Sequence, residues 1–160
     1  MSSPIANAYG SPTTLTITLA SLASGAARQS AAIAVSGLSP IPGDILVTVK
    51  VKTGTVSSST GIWVYAAGST DGGTTYTEGA TGSDAAITLI SPTNLRLLGV
   101  INAPSSASTY VGGPFSIAAA FGGTLPANVS LVVVDNTGGA LDSSGANHSV
   151  TYQAVSETVG

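Results

Sequence analysis

The segment ILVTVKVKT, residues 45–53, puts Ile45, Val47, Val49 and Val51 on one side of an extended chain and Thr48, Lys50 and Lys52 on the other. Successive side chains leave a pleated backbone in opposite directions, so this alternation predicts a strand half buried against a core, with its lysine side in water. Other apolar segments lie at short, fairly even spacing around it: residues 14–19, RQSAAIAV (28–35), GIWVYAAG (61–68), AAITLI (85–90), NLRLLGVI (94–101), PFSIAAAF (114–121), VSLVVVD (129–135) and HSVTYQAV (148–155). Gly, Pro, Asn, Asp and Ser punctuate them, as in Pro40 to Asp44, Gly112 to Pro114 and Asn136 to Gly139, the residue types that supply turn geometry. Asp71-Gly72-Gly73 reads as a tight hairpin turn, since Asp-Gly tolerates the positive φ such turns need.

About nine short strands with frequent turns predict an all-β antiparallel sandwich. A jelly roll of two four-stranded sheets fits 8–9 strands best. The Ala-rich stretches at 23–34 and 115–121 are too short for amphipathic helices, and NLRLLGVI has a helical turn only as its second reading. Residues 1–12 (MSSPIANAYGSP) show neither period and read as an N-terminal arm, leaving residues 13–160 as the sandwich domain. Strands such as Ile62 to Ala67 and Leu131 to Val134 are apolar on both faces, whereas one sandwich core covers one face only. An arm, a long loop or another subunit is expected on the second face.

Only 7% of the 160 residues are charged, against about 25% in an ordinary soluble domain. Such a chain has few charges with which to protect its edge strands, and an assembly that occupies those edges would protect them. Arg28, Lys50, Lys52 and Arg96 are the four cations. A protein held on DNA by charge typically neutralises about 6–10 phosphates, so neither nucleic acid nor an anionic membrane surface is expected as a partner. No cysteine is present, which excludes disulfides and thiolate chemistry. LTITLASLASGAA (15–27) has the flavour of a signal-peptide core, but no basic residue precedes it and its start alternates, so it reads as strand. No apolar run approaches the ~20 residues of a membrane-spanning helix.

The residues for catalysis are sparse, and the chain reads as a non-enzyme without a cofactor. His148 is the sole histidine and no G-x-S-x-G elbow accompanies it, so a serine triad has no evident base. It alternates with Val150, Tyr152 and Ala154 and reads as a structural histidine at the inward start of a strand. The seven acids, Asp44, Asp71, Glu78, Asp84, Asp135, Asp142 and Glu157, fall at turns or strand ends, where solvated carboxylates are the simpler reading than a glycosidase pair. Asp71, Glu78 and Asp84 could approach around a hairpin and hold Ca²⁺, although their spacing matches no EF-hand loop. Gly122-Gly123 and Gly138-Gly139 open no phosphate-binding pattern and read as turns. Asn128-Val-Ser130 and Asn147-His-Ser149 are formal glycosylation acceptors. Trp63, Tyr65, Tyr76 and Tyr110 could form a sugar-stacking platform, though Trp63 sits mid-strand and reads first as core or interface.

Several segments in order, SPTTLTITLASLASGAARQSAAI (11–33), ILVTVKVKTGT (45–55), VYAAGSTDGGTTYT (64–77), NLRLLGVI (94–101), PFSIAAAFGGTLP (114–126), VVVDNTG (132–138) and NHSVTY (147–152), resemble a group of small virion proteins of tailed bacteriophages. The resemblance covers most of the chain. It implies a jelly-roll decoration or cement protein on the outer surface of the phage head, clamping neighbouring major capsid protein subunits and associating with itself as a dimer or trimer. It also implies an arm reaching onto a neighbour, with Ile5 and Tyr9 as apolar anchors. Similar domains occur as head fibres and tail parts, so a receptor- or glycan-binding module is the alternative.

Overall fold

In the computed structural model, which describes residues 5–57 and 61–159, the alternating segment forms a strand whose Ile45, Val47, Val49 and Val51 are fully buried. Eleven strands occur among the described residues: β1 (Ile5–Tyr9), β2 (Thr13–Leu15), β3 (Ala27–Gln29), β4 (Ile33–Ala34), β5 (Asp44–Lys52), β6 (Ile62–Ser69), β7 (Ala85–Ile87), β8 (Arg96–Ile101), β9 (Thr109–Ser116), β10 (Asn128–Asp135) and β11 (Ser149–Val159). A single helical turn, α1 (Ile117–Ala120), follows β9.

The strands form two antiparallel sheets, one in the order β1-β11-β5-β9 with β2 also on β11, the other in the order β7-β3-β10-β6-β8 with β4 also on β10. The strand count exceeds the expected nine partly because two strands are interrupted. β1 pairs with residues 155–159 of β11 and β2 with residues 150–152 along the same edge, and the register slips by one across Gly10, Ser11 and Pro12. β3 and β4 share one edge of β10 in the same way. Counting each interrupted pair once and setting β7 aside, the first strand pairs with the eighth, the eighth with the third and the third with the sixth. The second pairs with the seventh, the seventh with the fourth and the fourth with the fifth. That pair of interleaved Greek keys is a jelly roll.

Each interruption is a bulge, three residues facing two, and each is satisfied locally. At the first, the Gly10 amide donates to the Ala154 carbonyl at 2.9 Å and the Gln153 side-chain amide donates to the Gly10 carbonyl at 2.7 Å. At the second, the Ser30 hydroxyl oxygen accepts from the Leu131 amide at 2.9 Å while the Ser130 hydroxyl donates to the Ser30 carbonyl at 2.9 Å. Both serines are fully buried, and these bonds meet the main-chain groups that the broken ladder leaves over.

The main core lies between the sheets, with Val47, Val49 and Val150 from one sheet meeting Ile62, Val64, Leu131 and Val133 from the other. A second, smaller cluster sits on the outer face of β6 and β10. There Tyr65, Ala67, Val132 and Val134 are covered by Tyr76, Ala80 and Leu95, all from the long excursion between β6 and β8. Of the three covers expected for the doubly apolar strands, the chain thus uses its own long loop. A neighbouring subunit is not needed there.

Three local expectations are corrected. Gly112 to Pro114 is no turn: it lies inside β9, where Gly113 takes φ +107 and the pairing with β5 is bulged. The segment 114–121 is strand only to Ser116, because the Ser116 hydroxyl accepts from the Ala119 amide at 3.0 Å and starts α1. Asp71-Gly72-Gly73 turns the chain with both glycines at positive φ, but into the long excursion and not into a hairpin.

Candidate interaction surface

Ile5–Tyr9, inside the segment read as an arm, is a strand on the outside of β11; residues 1–4 lie outside the described residues. Its odd-numbered residues share the outer face of the sheet with Val155 and Glu157 of β11. Ile5 is 67% exposed and Tyr9 61% exposed, high values for apolar side chains on a sheet. Tyr9, Asn7, Leu46 and Val155 line a shallow depression of roughly 300 Å³ together with Gly43. Gly43 also lines a second depression, of roughly 430 Å³, with Ile41, Leu125 and Pro126. The two hollows therefore adjoin, and Ile41, 68% exposed, lines the second as Tyr9 lines the first.

The sequence pointed to Ile5 and Tyr9 but not to Ile41, Leu46 or Val155. Ile41 stands between Pro40 and Pro42 in a turn, and an apolar residue so placed was the available signal. Leu46 and Val155 become neighbours of Tyr9 only through the pairing of β1, β11 and β5, which no local pattern encodes.

Most of the carboxylates are spent on the fold, Glu157 being exposed beside β1. Asp44 accepts from the Ser116 hydroxyl at 2.7 Å and from the Ala118 amide at 2.9 Å, tying β5 to α1. Asp71 accepts from the Thr75 amide at 2.9 Å and the Ser69 hydroxyl at 2.8 Å, and these bonds lower its pKa to about 2. Asp142 accepts from the Asn147 side chain at 2.7 Å and the Ser144 amide at 2.9 Å, with Lys52 3.4 Å away, and its pKa also falls to about 2. Burial opposes ionisation of Asp84, but the Arg28 guanidinium at 2.6 Å and the Thr18 hydroxyl hold its pKa below the ordinary value. Asp71, Glu78 and Asp84 each bind separate segments and are not gathered. Among the described residues no three His, Cys, Asp or Glu side chains come close enough to share a metal ion.

His148 immediately precedes β11 and is half buried. Its Nδ1 accepts from the Lys52 amide at 3.4 Å, so Nε2, 2.9 Å from the Asp142 carbonyl oxygen, carries the proton and donates. Both ring nitrogens serve the main chain, as a structural histidine does. The four aromatic residues form no common platform. Tyr65 and Tyr76 are buried in the outer cluster, Trp63 packs against that cluster with its ring 6.1 Å from Tyr65, and Tyr110 lies on the other sheet, accepting from the Ser105 amide at 2.9 Å. Among the described residues no helix is long and apolar enough to cross a membrane.

The end built by β1, the loop before β5 and the end of β11 leaves Ile5, Tyr9 and Ile41 in solvent, with Asp44 and Glu157 as its charged groups, while Ile90, Leu97, Val100 and Val111 are exposed elsewhere. The chain matches no family model, no curated protein and no solved structure.

Proposed function

We propose that the chain is a structural protein of a bacteriophage particle, a jelly-roll decoration or cement protein that binds neighbouring coat subunits on the outside of the head. The observation that carries the reading is the N-terminal strand: it completes the sheet yet leaves an edge unpaired among the described residues, with Ile5 and Tyr9 in solvent and Ile41 in the hollow adjoining that of Tyr9. Apolar groups gathered at one end mark a contact surface. The segments resembling phage virion proteins supply the context, and the jelly roll agrees with it.

Support from the doubly apolar strands has moved inside the molecule, since the loop between β6 and β8 covers them. The contact therefore falls on the β1 end rather than on the outer face of β6 and β10. Sedimentation with purified capsids of the source particle tests this. Wild type is expected to travel with the shells, and Ile5→Asp with Tyr9→Asp is expected to weaken binding by about a hundred-fold, two buried apolar anchors being lost. A wild-type chain that stays in the supernatant at every shell concentration would sink the reading.

A further inference from the structure

We infer that the free edge of β1 is built to pair with β1 of a second copy, antiparallel and centred on Asn7. The inference rests on reading the β1 end as a contact surface and names one of its occupants. Its first support is which main-chain groups are on offer. The Gly10 amide bonds to the Ala154 carbonyl, so by antiparallel alternation Ala8 and Ala6 also turn their main-chain groups toward β11. Ile5, Asn7 and Tyr9 turn theirs to the free edge.

The second support is the sequence of the strand. IANAY is symmetric in chemistry about Asn7: a large apolar residue at each end, then alanine, with the amide in the middle. Antiparallel pairing about Asn7 sets Ile5 against Tyr9 of the partner twice and Asn7 against Asn7 once. Each offered amide then meets a carbonyl, the exposed apolar side chains cover one another on the outer face, and the two amide side chains face each other. A twofold arrangement of this kind closes after two copies.

The third support is the contrast with the other edges. β9 is interrupted by Gly112, Gly113 and Pro114, β7 is three residues long, and β8 begins with Arg96 and is bulged against β6. Such features blunt an edge; on this edge the bulge and Pro12 come only after Tyr9, and the five residues of β1 itself are regular. Charge does not oppose the pairing. Glu157 lies beside Asn7, so the two copies of Glu157 would stand three strand spacings apart, roughly 14 Å, beyond the screening length of ~8 Å at physiological salt. A five-residue edge buries less than the ~800 Å² per partner of a standard interface, so the free dimer is expected to be weak and concentration dependent.

The chain lacks cysteine, so Asn7→Cys places a single thiol on the symmetry axis. Cα atoms of a hydrogen-bonded antiparallel pair are ~5.5 Å apart, within disulfide reach. Under mild oxidation Asn7→Cys is expected to form a linked dimer about ten-fold faster than Thr109→Cys, which sits on the exposed β9 edge. Asn7→Pro removes an outward amide and leaves the bonds to β11 alone, so the melting temperature should hold. The same change should weaken dimerisation in sedimentation equilibrium about thirty-fold, two hydrogen bonds being lost per dimer. Equal cross-linking of the two cysteine variants, or an Asn7→Pro chain that dimerises like wild type, overturns the proposal. Both measurements are made without shells, so their failure leaves shell binding standing, whereas a chain that dimerises but ignores shells sinks the function and not the pairing.

Discussion

At the inner end of β10, Asp135 is fully buried, and only one of its oxygens is served. Oδ1 accepts from the Thr137 amide at 2.9 Å and the Thr137 hydroxyl at 2.8 Å, while Oδ2 has no hydrogen-bond partner among the described residues. Burial raises its pKa, and the Thr137 bonds offset that only in part. A raised pKa means the folded chain holds the proton more tightly than the unfolded chain. The penalty for ionising is therefore absent below the unfolded value, near 3.8, grows as pH rises through the folded value, and is complete above it. Asp135→Asn keeps the acceptor for Thr137 and removes the charge. It is expected to raise the melting temperature by a few degrees at pH 7, at roughly 2–4 °C per kcal/mol in a chain of this size, and to change it little at pH 3. A variant equally or less stable at pH 7 would show that Oδ2 is satisfied in solution.

Among elements, the excursion between β6 and β8 carries most weight, because without it the outer faces of Val132 and Val134 would meet water. Glu78 holds it in shape. Its carboxylate accepts from the Thr93 hydroxyl at 2.5 Å, the Asn94 amide at 2.6 Å and the Ile90 amide at 2.7 Å, pulling the 90–94 turn against the turn at Thr77–Gly79. Burial opposes its ionisation, yet these donors keep its pKa below the ordinary value. Glu78→Gln puts an NH₂ where a donor must be received. The expected cost is about 1–3 kcal/mol in chemical denaturation at pH 7, with increased binding of a hydrophobic dye as the cover loosens. The wild-type advantage is present above the unfolded glutamate value and is lost as pH falls through the lower folded one, so the two proteins should converge in acid. Equal stability at pH 7 would relieve Glu78 of the role.

The same scale shows what the sequence made legible. β5 declared itself because one of its faces is core and the other water, which writes alternation directly into the residues. β6 and β10 declared themselves as strands with two dry faces, but the identity of the second cover lay well outside both strands, in the segment between β6 and β8 that has no periodicity. β1 was hidden by its small residues and flanking prolines, and the first half of β9 by Gly-Gly-Pro, which is turn chemistry used here inside a strand. Ile5 and Tyr9 could be named as exposed anchors from their type alone. Their neighbours Ile41, Leu46 and Val155 depend on register, a property of pairs of segments.

Over the whole molecule, charge is too thin and too scattered to guide binding. Of four cations, Arg28 pairs with Asp84 at 2.6 Å and Lys52 lies 3.4 Å from Asp142, while Lys50 and Arg96 sit on opposite sheets. Seven acids include five whose oxygens accept bonds from the turns and strands around them, and Asp135, which is buried. A surface of this kind offers main-chain edges and apolar side chains to a partner, and neither is weakened by screening. Shell binding is therefore expected to change by less than about two-fold between roughly 50 and 500 mM salt, a range over which the screening length falls about three-fold. Contacts made by charge behave otherwise, since each released counterion steepens the salt dependence. Co-sedimentation across that range decides between them: a steep loss of bound chain at high salt would place the contact on Lys50 or Arg96 and away from the β1 end.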